Sequence, residues 1–188
     1  MKIGVLALQG DFREHIRSTE LAGHRAVSVR RESELDEVDA LILPGGESTT
    51  IALLAHNYNL VSPIRSKIAH GLPVYGSCAG MILLADRVIE GIEDQMTFGG
   101  LDISVRRNAF GRQVESFEEE ITFAERKVHG VFIRAPWVEE VGTEVEVLAR
   151  EGDHIVAVRQ GKLLATSFHP ELTDDLSVHK YFFDEICR

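Results

Sequence analysis

In the first half of the chain, apolar positions come in short unbroken runs separated by polar, helix-patterned stretches; in the second half they alternate with polar ones. Lys2 to Leu8 is nearly all apolar and rich in Ile, Val and Leu, which predicts a strand covered on both faces, as in a parallel sheet. Gln9-Gly10 ends it. Asp11 followed by Glu14 resembles a capping box, and the helix it opens is expected to reach about Ala22, with Gly23 just beyond its C-terminus. Ala26 to Val29 predicts a second strand, Glu32 to Val38 a polar connection that can hold a short helix, and Ala40 to Leu43 a third strand stopped by Pro44-Gly45-Gly46. A helical stretch, Ile51 to His56, follows this loop. Ser62-Pro63 starts a further helix that Gly71 ends. The β-α-β-α-β succession predicts an open parallel sheet with helices on both faces and ligands beyond the carboxyl ends of its strands.

Asp86 to Gly100 reads as loop. From Leu101 the period becomes two: Ile103 and Val105, then Glu118 to Phe123, Val131 to Ala135, Glu144 to Leu148 and His154 to Val158, with Gln160-Gly161-Lys162 as a hairpin turn. Leu163 to Phe168 is the last strand. Asp175 or Ser177 can cap a final helix whose Val178, Tyr181, Phe182 and Ile186 share one face. The expected fold is α/β, one domain over residues 1–188, with a three-layer open mixed sheet whose core is mostly parallel.

Pro73 to Leu84, PVYGSCAGMILL, runs one apolar strand straight into one apolar helix with Cys78 at the corner. Gly76-Ser77-Cys78-Ala79-Gly80 has the form of a nucleophile elbow with Cys in the nucleophile's place. So sharp a turn brings strand and helix close together, and glycine at 76 and 80 avoids a clash. The turn also sets the sulfur at a helix N-terminus, where unpaired N–H groups favour an anion. Free cysteines are more often buried and structural; the glycine frame between strand and helix argues for the nucleophile. The loop Pro44 to Thr50, PGGESTT, is no P-loop, because the lysine of that motif is missing. Its paired glycines can turn an N–H toward a bound group, as an oxyanion hole requires, although an ordinary turn with a Ser/Thr cap fits the same residues.

Composition narrows the setting. A net charge of −10, with basic residues scattered rather than striped, argues against nucleic acid and anionic membranes. The N-terminal apolar run is too short for a signal-peptide core or a membrane span, so a cytoplasmic protein is expected. Two cysteines, Cys78 and Cys187, form no disulfide framework, and Cys187 at the end of the last helix is given no function. No metal is expected, since no H-E-x-x-H, C-x-x-C or acidic calcium-loop spacing occurs.

A thiolate nucleophile needs a base, and the base needs a third group to fix its tautomer. Among eight histidines, His15, His24, His56, His70 and His179 fall on or beside predicted helices, where a solvated or helix-end role is usual. His129 and His154 have no carboxylate positioned behind them. His169 stands at the end of a strand, the edge that presents Cys78, and Glu171 two residues on projects to the same side of an extended backbone.

Together, G-x-C-x-G and the distant His169-Pro170-Glu171 resemble the class I, triad-type glutamine amidotransferases. VLALQG at Val5 to Gly10, LPGGEST at Leu43 to Thr49, CAGMILLA at Cys78 to Ala85, RNAFGRQ at Arg107 to Gln113, FIRAP at Phe132 to Pro136 and FHPELT at Phe168 to Thr173 resemble the glutaminase subunits of pyridoxal 5′-phosphate synthase over nearly the whole chain. The resemblance implies hydrolysis of L-glutamine to glutamate and ammonia through a thioester on Cys78, with His169 as acid and base and Glu171 orienting it. It also implies an oxyanion hole from the N–H groups of Gly46 and Ala79, and glutamine held by Gly46, Glu47, Ser48, Arg107, Ile133 and Arg134, the last through side chain or backbone. No cofactor is implied. The implied partner is a synthase subunit in a large hetero-oligomer, to which ammonia is delivered and of which pyridoxal phosphate is the product. Two rivals are a stand-alone cysteine hydrolase of the same fold and a non-catalytic regulatory module.

Overall fold

A computed structural model of the chain describes residues 1–89, 95–107, 109 and 116–188. The first half alternates as its apolar runs predict. Strands β1 (Lys2–Leu6), β2 (Arg25–Val29), β3 (Ala40–Leu43) and β4 (Val74–Ser77) are interspersed with helices α1 (Phe12–Leu21), α2 (Glu32–Leu35), α3 (Ser48–Asn57) and α4 (Val61–Ala69), and α5 (Ala79–Leu84) follows β4. Then come β5 (Ala85–Ile89), β6 (Leu101–Arg106), β7 (Phe117–Phe123), β8 (Arg126–Phe132), β9 (Trp137–Val141), β10 (Glu146–Glu151), β11 (His154–Gln160) and β12 (Leu163–Thr166). Helix α6 (Ser177–Tyr181) continues into a π-helical turn, Phe182–Ile186.

Among the described residues the main sheet has the order β2-β1-β3-β4-β12-β11-β9-β6-β5, with β10 also paired to β11. From β2 to β12 the neighbours are parallel. The pairs β12–β11, β11–β10, β11–β9 and β9–β6 are antiparallel, and edge strand β5 is parallel to β6. The expected mixed sheet with a parallel core is therefore the observed one.

The central parallel strands β1, β3, β4 and β12 are largely apolar because each feeds two cores. Leu41, Leu43, Val74, Leu163 and Ala165 face α3, α4 and α5, where Ile51, Ile64 and Met81 are buried. Ile3, Val5, Ala40, Ile42, Tyr75 and Leu164 face the opposite way, onto α1, α6 and the β7–β8 hairpin. A two-stranded hairpin is marginal alone. Here Ile121, Phe123, Val128 and Phe132 are buried in that second core, at about 1.5–3 kcal/mol each, and the hairpin becomes part of the layer behind the sheet.

Several boundaries differ from expectation. β1 stops at Leu6, two residues early. Asp11 is the N-cap of α1 but makes no capping bond with its side chain, so there is no capping box; the carboxylate turns toward His169 instead. Asp86 to Gly100 is not all loop. Its first residues complete β5, an edge strand whose polar Arg87 pairs with Asp102 at 2.8 Å and donates to Ser104 Oγ at 2.8 Å, and residues 90–94 lie outside the described residues. The strand expected at Val131 to Ala135 is displaced: β8 ends at Phe132, because Arg134 has φ +45°, which no strand accommodates. β9 is an additional strand that the alternation did not reveal. Ser177 begins α6 behind Leu176, which holds the cap position, so neither cap candidate occupies it, although the Ser177 N–H donates to Asp175 Oδ1 at 2.8 Å. No helix among the described residues is long and apolar enough to cross a membrane.

Candidate active site

Cys78 lies between β4 and α5 with φ +47° and ψ −101°, a conformation that L-residues adopt only when surroundings enforce it. The enforcement is visible. Cys78 N–H donates to the Thr166 carbonyl at 2.8 Å, and the Cys78 carbonyl accepts from Met81 N–H at 3.1 Å. A Cβ on Gly76 would come within 2.4 Å of the Gly80 carbonyl, and one on Gly80 within 2.2 Å of the Leu43 carbonyl oxygen. Both glycines are thus required by contact distance, as the sequence pattern implies. The Cys78 side chain ends 4.0 Å from the Ile133 carbonyl.

His169 follows β12, and its N–H donates to the Val131 carbonyl at 2.9 Å, which ties it to the hairpin. Its Nδ1 lies 2.8 Å from Glu171 Oε1. The reach is not the same-side alternation of an extended chain, because Pro170–Leu172 forms a single 3-10 turn that brings the carboxylate back under the ring. Burial alone would push the imidazole toward its neutral form, but the adjacent Cys78 sulfur and the Glu171 carboxylate outweigh it and hold the pKa well above the usual value. Burial likewise opposes the charge of Glu171, yet His15 and His169 overcome it and keep the carboxyl well below the carboxylate range.

Cys78 and His169 open into a cavity of about 240 Å³, to which Gly46, Glu47, Ser48, Ala79, Arg107, Ile133 and Arg134 also contribute. Every residue expected at the site therefore lines it, except Glu171, which is buried behind His169. The polar wall is organised. Arg107 donates from Nη2 to Glu47 Oε1 at 2.9 Å and from Nη1 to Gln95 Oε1 at 2.9 Å, Gln95 donates to Ser48 Oγ at 3.0 Å, and Glu47 Oε1 also accepts from the Thr49 hydroxyl at 3.1 Å. Arg107 and Glu47 are thus locked together rather than free charges. Arg134 is exposed, with its strained backbone turned at the cavity rim. Of the RNAFGRQ motif, Asn108 and residues 110–113 lie outside the described residues.

The cavity also has members that motif reading did not assign: Gln9, Gly10, Asp11, Ile82 and Leu172. Gln9 Oε1 accepts from Glu47 N–H at 2.9 Å, and Asp11 N–H donates to the Gly45 carbonyl at 3.0 Å. Gly10, at φ +93°, is packed so closely that a Cβ would sit 1.8 Å from the Gly45 oxygen. One signal could have found Gln9, Gly10 and Asp11, since they follow the carboxyl end of β1, the edge where α/β sheets bind ligands. Asp11, His169 and Glu171 each offer a ligand-type atom within 4.8 Å of the others; in this structure the His169 and Glu171 atoms are spent on each other, with Asp11 Oδ2 at 3.5 Å from His169 Nδ1.

The histidine expectations need three corrections. His15 and His179 are not solvated but fully buried, 0% exposed, behind Glu171. His129 does have a carboxylate, Glu118, whose Oε2 lies 2.7 Å from its Nε2 across the hairpin; the register sets His129 opposite Glu120, and Glu118 reaches it diagonally from the neighbouring pair.

The profile of the SNO glutamine amidotransferase family matches residues 5–188. The chain is 63% identical to pyridoxal 5′-phosphate synthase subunit PdxT of Kineococcus radiotolerans, over 98% of this chain and 94% of that protein, and 62% identical to the PdxT subunit of a Parafrankia species, over 100% and 93%. Among solved structures, a crystal structure of a glutamine amidotransferase matches with TM-score 0.93 at 51% identity, covering 98% of each chain. PurLQS from Thermotoga maritima, at 15% identity and TM-score 0.67, shares the fold.

Proposed function

The chain belongs to the SNO glutamine amidotransferase family, and from that premise we propose that it is the glutaminase subunit of a pyridoxal 5′-phosphate synthase, one domain over residues 1–188. It hydrolyses L-glutamine and passes the ammonia to a synthase partner in vitamin B6 biosynthesis. The observation that carries the site assignment is that Cys78 and His169 open onto one cavity with Glu171 buried behind His169, the His169–Glu171 bond measuring 2.8 Å.

Cys78 attacks the side-chain amide carbon after giving its proton to His169. The tetrahedral oxyanion is held by the N–H groups of Gly46 and Ala79, each donor contributing roughly 3 kcal/mol to the barrier reduction. His169 then protonates the departing nitrogen, ammonia leaves, and a γ-glutamyl thioester remains. Water, deprotonated by the same histidine, cleaves the thioester to glutamate and restores the thiol. Glu171 keeps Nδ1 of His169 protonated, so that Nε2 is the nitrogen that exchanges protons. The wall formed by the Arg107–Glu47 pair, Ser48, Ile133 and Arg134 receives the zwitterionic end of glutamine. The chain works with its synthase in a large hetero-oligomer in the cytoplasm, where a reactive thiol stays reduced.

The test is ammonia release from glutamine by the chain alone and with the synthase subunit. Cys78→Ala is expected to abolish glutamine-dependent release and cofactor synthesis, while ammonia-dependent synthesis and partner binding persist. Full turnover without the partner would favour a stand-alone hydrolase; loss of binding in Cys78→Ala would favour a regulatory module.

A further inference from the structure

Behind the triad runs a chain of buried polar side chains that the proposed reaction does not use. His15 Nε2 lies 2.8 Å from Ser77 Oγ and 3.4 Å from Glu171 Oε1. Ser77 Oγ donates to Glu171 Oε1 at 3.3 Å. On its other side, His15 Nδ1 lies 3.0 Å from His179 Nε2. All four residues are buried, at 5% exposure or less, and they come from α1, β4, the 3-10 turn and α6.

With His15 neutral, proton counting gives the chain one consistent direction. The Ser77 hydroxyl has a single proton and uses it on the Glu171 carboxylate, so Ser77 must accept from His15 Nε2–H. His15 Nδ1 is then bare and accepts from His179 Nε2–H. That leaves a bare Nδ1 on His179, which is the unpartnered ring nitrogen found there among the buried atoms. Reversing the protons would strand a buried N–H at His179 and leave Glu171 without the Ser77 donor, a costlier arrangement around a buried charge.

We propose that His15 is a positioning residue for the triad, acting on Glu171 directly and through Ser77, with His179 fixing the His15 tautomer. This rests on the glutaminase reading above. Glu171 Oε1 accepts from His169 and from the Ser77 hydroxyl, with His15 Nε2 3.4 Å away, and these neighbours fix the rotamer in which it can orient His169. Without His15 the carboxylate loses a close buried imidazole and the Ser77 donor loses the partner that orients it, and the carboxylate becomes easier to protonate. The titratable groups facing Glu171 are His15 and Asp11 from α1 and its start, Tyr75 from β4, His169 from its own turn and His179 from α6, with Cys78 beyond His169.

The experiment measures kcat, KM and their pH dependence for glutamine hydrolysis by the chain in complex with its synthase. His15→Leu is expected to lower kcat about 10- to 100-fold, the range of supporting partners one step removed from the reacting groups, with KM unchanged and the acid limb of kcat moved to higher pH. The shift should persist in an Asp11→Asn background. His15→Gln, whose amide N–H can replace Nε2–H, should recover most of the rate. A folded, partner-binding His15→Leu with wild-type kcat and acid limb overturns the proposal, as does a His15→Gln no better than His15→Leu. Should His15→Leu not fold, ring 15N NMR of the wild-type chain decides: protons on Nε2 of both His15 and His179 support it, and a proton on Nδ1 of a neutral His15 overturns it. If the wild-type complex releases no more ammonia than Cys78→Ala, the glutaminase reading itself fails, and the NMR result still stands apart from that failure.

Discussion

One carboxylate oxygen, Glu171 Oε1, shows how much chemistry this fold concentrates on single atoms. It meets His169 from one side and Ser77 and His15 from the other, and its charge survives burial because His15 and His169 outweigh desolvation. Asp11 is the second carboxyl near His169, at 3.5 Å, and burial raises its pKa, with Glu171 and Glu14 adding to that rise against the lowering by His169. An anion beside an imidazolium stabilises it. Asp11→Asn should therefore lower the His169 pKa and move the limb that reports it toward lower pH by less than about one unit, which the pH–rate profile of the complex would show. A limb that stays in place would mean Asp11 does not sense the catalytic histidine. The partnership of His169 and Glu171 could be found from two neighbouring letters at a strand end. Asp11, His15 and His179 could not, since only tertiary packing brings residues so distant in sequence against one another.

At the scale of elements, the elbow is where local sequence and packing agree most closely. Gly80 admits the Leu43 carbonyl against α5, so Gly80→Ala forces backbone against backbone and is expected to cost about 2–3 kcal/mol in chemical denaturation, the range for overpacking. Gly23, just beyond α1 at φ +88°, has open space around it. Gly23→Ala should cost only the left-handed backbone strain, about 1–2 kcal/mol. Equal losses would mean that the tight approach at the elbow is relieved by movement of α5. The same contrast explains what was legible. Glycines flanking a strand-to-helix turn carry their geometry in the sequence, whereas β5 and β9 are exposed or edge strands whose apolar signal is diluted by Asp86, Arg87, Glu139 and Glu140, and the end of β8 depends on a positive φ at Arg134 that no local composition announces.

Across the whole molecule, the buried histidines connect the site to stability. Burial, assisted by His15, lowers the His179 pKa from 6.5 to about 3. The folded state thus keeps His179 neutral while the unfolded chain takes up a proton below 6.5. The contribution is fully present above pH 6.5 and is lost as the pH falls from there toward about 3, at up to about 1.4 kcal/mol per unit. His179→Phe, similar in size and set among the rings of Tyr75 and Phe183, should be relatively more stable than wild type at pH 4–5 than at pH 7. Unfolding midpoints for both proteins at these pH values would show it, and parallel curves would place the acid sensitivity elsewhere.

The parallel α/β plan, the elbow and the order of Cys78, His169 and Glu171 are determined by the sequence itself, because each rests on a short-range rule: apolar runs buried on two faces, glycines where backbones touch, a base and its carboxylate two residues apart. Tertiary structure alone decided that the Asp11 carboxylate turns to His169, that Arg107 is locked to Glu47, and that His15 and His179 stand behind Glu171. Those relations depend on which strands lie adjacent and which helix faces meet, and such contacts leave no periodicity in the chain from which they could be read.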